Sequence, residues 1–423
     1  MDFSILSMSL LITFGLLFAL QPLALKMGLT DQPSSRKTHS GEIPLIGGIC
    51  IYLCLLILYY WLPINNLAYL IAASLIVFCG IIDDYKTVSY KIRLIIEVLA
   101  VLIMIAWGGV HIISLGNLLG FGEIQLGYFS YIFTAFAIVG GINAFNMIDG
   151  IDGLAGSLSL IAFALIYAIG FNHSEIFTLC LVFIPAISAF LFFNLRLFGR
   201  KKASIFLGDT GSMLFGFTIS CLIIRASQGE NNTIPPVAVL WLIALPLFDS
   251  VSIMIRRLQK GRSPFEPDRE HFHHILPLAG YSINQTVSII VTISLILSTL
   301  GLIGIKLLHF PEWLMFLLFL GFFVLYYWGM SHAWMVMKIA RYIRDHKNDR
   351  RKKDRRVENI AYNGSDRRVT QDRRSGIDRR YHAIERALST KEDRRESKKI
   401  KKAFESASRL DKKTKKKKDT FPK

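Results

Sequence analysis

The chain has 423 residues, 52% of them hydrophobic, and a mean hydropathy of +0.42. Such values exclude an ordinary soluble domain and a disordered chain, and point to an integral membrane protein. The formal net charge of +18 sits entirely in residues 338–423, which hold 32 Lys/Arg and 14 Asp/Glu, whereas residues 1–337 hold 17 of each. The basic balance is therefore no argument for a nucleic-acid partner.

Eleven apolar runs approach the ~20 residues that a spanning helix needs. Their cores lie at 3–24, 43–62, 66–82, 92–109, 128–147, 154–172, 175–195, 210–226, 234–254, 285–307 and 312–336. The expected fold is all-α: a polytopic membrane domain over 1–337 with about eleven transmembrane helices, then a basic tail over 338–423. Only Asp2 precedes the first run, with no basic stretch, so this run reads as a retained span rather than a cleaved signal. Cys50, Cys54, Cys79, Cys180 and Cys221 all lie in apolar runs and read as small core residues, not disulfide partners.

The connections between runs alternate in charge. Fifteen of the body's 17 basic residues fall on one side, and the stretch Gly108–Gly127 on the other side has none. The positive-inside rule assigns the basic side to the cytoplasm. With an odd number of spans, the N-terminus is expected outside and the C-terminus in the cytoplasm.

All the polar clusters fall on that basic side. The first, 31–48, carries Lys37 and His39, which read as anion-binding. The second holds Asp83 and Asp84 where the third run meets water. Adjacent carboxylates on a helix point apart, so one is expected at a metal or phosphate and the other on a basic neighbour. The third stretch, GGINAFNMIDGIDGLAGS at 140–157, is the richest. Asn143, Asn146, Asp149 and Asp152 recur every third residue, a step that drifts by about 60° around a helix. A helix ending near Met147 and a short loop would aim both Asp side chains at one place, with Gly150 and Gly153 allowing the turn. Ordinary helix caps would explain one carboxylate but not two amides and two carboxylates within ten residues.

The fourth cluster, FLGDTGS at 206–212, opens the eighth run. Its Asp209 reads as a ligand for a hard cation shared with phosphate oxygens, the usual setting of Mg²⁺. The fifth, 256–274, contains Arg269, His271, His273 and His274. Three histidines raise zinc, but no cysteine or HExxH accompanies them, and Arg with His beside a Mg²⁺ site suits a diphosphate. Asp249 is expected to pair internally with Arg256 and Arg257, with direct catalysis as the second reading. Five clusters on one membrane face describe an enzyme site, whereas a transporter would place its ionisable groups nearer the midplane. The alternatives to an enzyme are such a transporter, or a scaffold acting through its basic tail.

The tail repeats an Asp-Arg-Arg triplet and ends in KKTKKKK at 412–418. It reads as low-complexity sequence that buries no core and lies on anionic headgroups. Its few aromatic residues offer little for stacking on nucleic-acid bases.

DDY at 83–85, NAFNMIDGIDGLAG at 143–156, FLGDTGS at 206–212 and SPFEPDREHFHH at 263–274 resemble the polyprenyl-phosphate N-acetylhexosamine-1-phosphate transferases. The resemblance covers residues 1 to about 335. DxPxxRKxH at 31–39 and DREHFHH at 268–274 resemble the branch that uses UDP-GlcNAc and undecaprenyl phosphate. The phospho-MurNAc-pentapeptide translocase branch stands second, because Phe272 interrupts the three successive histidines typical of it. The resemblance implies attack of a polyprenyl phosphate on the β-phosphorus of a UDP-sugar, with UMP leaving, to begin a cell-surface polysaccharide. It implies Mg²⁺ on Asn146 and Asp209, with Mn²⁺ as a substitute. It further implies a site lined by Asp83, Asp84, Asp149 and Asp152, with Asn143 also at the substrate and the histidines near the diphosphate. The setting implied is the bacterial cytoplasmic membrane. The expected partners are the two substrates, anionic lipids and a second copy of the chain, with no nucleic acid.

Overall fold

The structure is a computed structural model that describes residues 2–31, 42–62, 66–169, 174–196, 199–200, 202–229, 232–261, 263, 271–332 and 337. Lys37, His39, Arg269 and the tail 338–423 lie outside the described residues. In chain order the elements are α1 (Asp2–Met27), β1 (Thr30–Asp31), β2 (Ile43–Pro44), α2 (Gly47–Tyr59), α3 (Leu67–Tyr85), α4 (Tyr90–Ala106), α5 (Phe129–Ile148), α6 (Leu154–Ile169) and α7 (Ser174–Asn194). There follow α8 (Gly208–Ser227), α9 (Pro236–Leu242), α10 (Ala244–Gln259), α11 (Phe272–Leu278), α12 (Ile283–Leu302, extended by a π-helical turn at Ile303–Leu307) and α13 (Glu312–Ser331). Helix starts carry their signals: Asn66 and Ser89 cap α3 and α4, and Ser282 with Gln285 forms a capping box on α12.

Every predicted apolar run contains helix, but the runs differ in reach. Among the described residues seven helices are long and apolar enough to cross a membrane: α1, α3, α5, α7, α8, α12 with its extension, and α13. Helices α9 and α10 make an eighth only if they are one span, bent by 81°. The bend has a local cause. Pro246 has no N–H to offer the Leu242 carbonyl, and the Ser298 hydroxyl donates to that oxygen instead at 3.3 Å. The other three runs form the shorter helices α2, α4 and α6, of 13, 17 and 16 residues. Thirteen residues rise only about 20 Å, short of a ~30 Å hydrocarbon core.

Helix α8 is the axis of the molecule. Its apolar window is 94% buried, and α2, α3, α5 and α6 pack on it. Glycine makes the close crossings possible. A Cβ on Gly48 would strike Gly211, one on Gly80 would strike Thr210, and one on Gly216 would lie 2.6 Å from Ile142 Cα. Close backbone approach of this kind replaces the hydrophobic drive that lipid does not supply. On the outer helices the apolar residues face outward, as Phe129, Ile132 and Phe136 do on α5.

Candidate active site

The first turn of α8 is where the polar clusters meet. Its backbone is held from two sides. Strand β2 and the residues after it stitch to the approach of α8: Phe206 N donates to Pro44 O (2.8 Å), Gly47 N to Phe206 O (3.0 Å) and Gly48 N to Leu207 O (2.9 Å). From the other side Asp84, at the end of α3, takes the helix's free N–H groups. Its Oδ1 accepts from Asp209 N at 2.7 Å, and its Oδ2 accepts from Thr210 N at 3.1 Å and Thr210 Oγ1 at 2.7 Å. An anion at a helix N-terminus is favoured by both the unpaired amides and the dipole. Asp84 is thus a cap supplied by another helix. Gly208 fits because its φ of +76° and its missing Cβ make room for that carboxylate.

Asn146, on the last turn of α5, reaches this turn. Its Nδ2 donates to Asp209 Oδ1 (2.6 Å) and to Ser212 Oγ (3.0 Å). The two expected Mg²⁺ ligands therefore adjoin. Asp149 follows at the C-cap of α5. Removal from water, and then the charges of Asp209, Asp84 and Asp152, hold its carboxyl well above the usual carboxylate range. This donor set fits a hard divalent cation. Crowded carboxylates gain from a positive charge between them, and a half-turn of the Asn146 amide presents oxygen in place of nitrogen beside Asp209.

The remaining predicted carboxylates have other partners. Asp152 Oδ2 accepts from Arg196 Nε (2.7 Å) and Ala203 N (3.0 Å), tying the α5–α6 loop to the end of α7. Asn194 Oδ1 helps by accepting from Gly153 N at 2.7 Å, where φ is +85°. Asp149 and Asp152, three residues apart, thus face different work. Asp83 accepts from Val88 N (2.8 Å) and pairs with Arg93 at 3.4 Å, the basic neighbour expected for one of the two adjacent carboxylates. Arg93 also reaches Asn143 Oδ1 (3.4 Å) and lies 3.5 Å from Glu97, while Asn143 Nδ2 donates to Glu97 Oε2 (2.7 Å) and Val139 O (2.9 Å). Asn143 therefore spends its amide in a clasp between α3, α4 and α5. Glu97, 1% exposed, was missed as a site-supporting residue; its signal was the i,i+4 spacing from Arg93 on an apolar helix.

The histidines close the site from α11. His271 and His273 are buried and stack at 5.3 Å, and His274 lies 4.2 Å from His273. His273 backs onto the α5–α6 loop, where a Cβ on Gly150 would strike its Nε2. Burial, and then the neighbouring His274 and His271, push His273 down to about 3, so the ring is neutral. Asp249 does not pair with Arg256 or Arg257. Its carboxylate binds His271 Nδ1 (2.7 Å), Phe272 N (3.1 Å) and the Tyr326 hydroxyl (2.7 Å). The reason is direction: the arginines lie near the end of α10, about two turns from Asp249, while α11 and α13 cross its own level. Asp249, His271 and His273 bring one ligand atom each within 4.8 Å of one another, but both Asp249 oxygens already receive donors, so hydrogen bonding accounts for the cluster. Tyr326 carried no signal in sequence, being one aromatic among many on the last span.

The profile of glycosyl transferase family 4 matches residues 66–227, which hold Asp83, Asp84, the Asn/Asp stretch and Asp209. The chain is similar along most of its length to undecaprenyl-phosphate α-N-acetylglucosaminyl 1-phosphate transferases. That of Escherichia coli O157:H7 is 42% identical over 347 residues, 80% of this chain and 93% of the relative. The Yersinia pestis enzyme is 41% identical over 350 residues, 81% and 94%. The Haemophilus influenzae enzyme is 38% identical over 344 residues, 78% and 94%. The chain belongs to glycosyl transferase family 4.

Proposed function

We propose that the protein transfers GlcNAc 1-phosphate from UDP-GlcNAc to undecaprenyl phosphate at the cytoplasmic face of a bacterial membrane. An oxygen of the lipid phosphate forms a bond to the β-phosphorus, and the bond from that phosphorus to the UMP oxygen breaks. The products are UMP and a lipid-linked diphosphate sugar. The observation that carries the reading is the Asn146–Asp209 hydrogen bond at the start of α8, with Asp149 near enough to feel the Asp209 charge and His273 backing the loop that follows it.

Both substrates are anionic, and their approach is opposed by charge. Asp209 and Asn146, with Asp149 beside them, would hold Mg²⁺, which offsets the phosphate charge and the charge left on UMP. Asp84 fixes the first turn of α8 and so fixes Asp209. Asp83 acts through Arg93 and Asn143, bracing α3 and α4 against α5. Asp152 holds the loop that carries Asp149. The nucleophile needs little help: a phosphate monoester has its second pKa near ~6 and is largely ionised at neutral pH. His271 is assigned to the diphosphate, and Lys37, His39 and Arg269, outside the described residues, keep the anion-binding role that their sequence suggests.

Topology supports the same reading. The positive-inside rule favours the cytoplasm for the basic loops, where a soluble nucleotide sugar is available, and an odd number of spans would set the N-terminus outside and the tail inside. The tail adds electrostatic attachment to anionic headgroups. The test is incubation of the purified full chain in detergent with undecaprenyl phosphate and a panel of UDP-sugars. UMP release with UDP-GlcNAc above UDP-MurNAc-pentapeptide supports the reading. The reverse order assigns the chain to the peptidoglycan reaction.

A further inference from the structure

We infer that Asp249 and Tyr326 are positioning residues, which hold His271 so that its outer ring nitrogen addresses the diphosphate of the nucleotide sugar. This rests on the function proposed above and names two residues for which that reading has no role.

Asp249 is 1% exposed on the bent span, in sequence that is otherwise apolar. A buried carboxylate costs several kcal/mol unless its oxygens are filled. Here both are filled, by three donors from the start of α11 and from α13. Oδ2 takes His271 Nδ1 at 2.7 Å; Oδ1 takes Phe272 N at 3.1 Å and the Tyr326 hydroxyl at 2.7 Å. The Tyr326 ring is set by Phe248 at 5.9 Å and Phe272 at 5.8 Å. The hydroxyl is thereby aimed at a carboxylate already committed to histidine.

This arrangement decides which nitrogen works. A carboxylate on Nδ1 makes that nitrogen the proton carrier, so Nε2 is the ring nitrogen left for a ligand. On a ring that carries both protons, Nε2–H is the group that can donate to a phosphate oxygen. Among the described residues, the groups facing His271 are Asp249 with Tyr326 behind it, stacked His273 and, at 6.4 Å, His274. His273 stays neutral and does not oppose a charge on its neighbour. One ring is thus held with Nε2 turned away from Asp249, and the other packs as an uncharged plate against the Gly150 loop.

The test compares a diphosphate with a monophosphate. UDP and UMP affinities are measured by calorimetry on the full-length protein in detergent with Mg²⁺, for wild type, Asp249→Asn, Tyr326→Phe, His271→Ala and the Asp249→Asn/His271→Ala double variant. Losing a hydrogen bond to a charged group predicts UDP binding weaker by about 10- to 100-fold in Asp249→Asn. UMP, which lacks the β-phosphate, should stay within about 3-fold of wild type in that variant. Tyr326→Phe should shift in the same direction by less, and it keeps the proposal testable if Asp249→Asn does not fold. The double variant should lose no more than His271→Ala, because both changes remove the same interaction. Equal losses for UDP and UMP, or wild-type UDP affinity in both Asp249→Asn and Tyr326→Phe, would overturn the inference. Because binding is read without turnover, a failure here is distinguishable from a failure of the transfer reaction.

Discussion

Asp84 is the residue at which sequence and structure assign the most different work, and substituting it separates the two. A carboxylate in an Asp-Asp pair beside a metal site would ordinarily be counted as catalytic. Here it accepts three hydrogen bonds from the first turn of the buried helix α8. Asp84→Ala removes all three and strands two backbone N–H groups, each worth ~1–3 kcal/mol when buried unpaired. The expected loss is therefore about 3–5 kcal/mol after partial relaxation. Asp84→Asn keeps one acceptor oxygen, but its NH2 faces one of the two backbone N–H groups, so one hydrogen bond and the charge assistance are lost, about 2–3 kcal/mol. Unfolding can be followed with a thiol-reactive dye, since all five cysteines are buried. In neutral detergent the unfolding temperature should fall in the order wild type, Asn, Ala, and UMP release should fall in the same order, with at least a tenth of the turnover left in Asn. An Asp84→Asn protein with wild-type stability and no turnover would refute the capping argument and place Asp84 on the metal or the substrate.

Asp209→Asn should abolish UMP release while leaving the unfolding temperature within a few degrees of wild type, and near-normal turnover at ordinary Mg²⁺ would remove it from the ligands. Asp149→Asn should also stop turnover yet raise the unfolding temperature at pH 7 in EDTA: its raised carboxyl pKa means that stability is fully present at low pH and is lost as pH climbs through the folded value, a loss the amide does not suffer. His273 has the opposite sign. With the folded ring at about 3 and an unfolded value near ~6.5, stability is full above that value and falls as pH drops from 6.5 towards 3, by up to ~1.4 kcal/mol per unit. His273→Gln should flatten the unfolding temperature between pH 7 and pH 5, and an unchanged slope would contradict a buried neutral ring. Truncation after Arg344 should leave most UMP release in detergent, and its collapse in a monodisperse truncated protein would give the tail a part in the site.

Much of the site was legible because expensive residues announce themselves. Asn146, Asp149 and Asp209 are amides and carboxylates at the ends of apolar runs; the structure joins Asn146 to Asp209 and sets Asp149 at the end of the helix that carries Asn146. What the linear pattern could not show is who holds whom. Asp84 and Asp209 are 125 positions apart in the chain, and nothing local says that one caps the helix carrying the other. Asp249 looked partnered by the nearest charges along its helix, but its level in the bundle belongs to α11 and α13. Asp152 shares a motif with Asp149 and turns to Arg196, because Gly153 at positive φ redirects the loop. Span counting met a similar limit: hydropathy marks apolar runs, while Pro246 and helix length decide which of them cross as straight rods.

The central claim is that the phosphate next to the sugar travels with it. UDP-GlcNAc carrying ³²P at the β position, and separately at the α position, is incubated with undecaprenyl phosphate, Mg²⁺ and the purified full chain, and lipid and water phases are counted. β-Label is expected in the lipid phase, α-label in UMP in the water phase, and neither transfer in Asp209→Asn. β-Label that stays in water as UDP while the sugar enters the lipid, or that appears as free GlcNAc 1-phosphate, would contradict it.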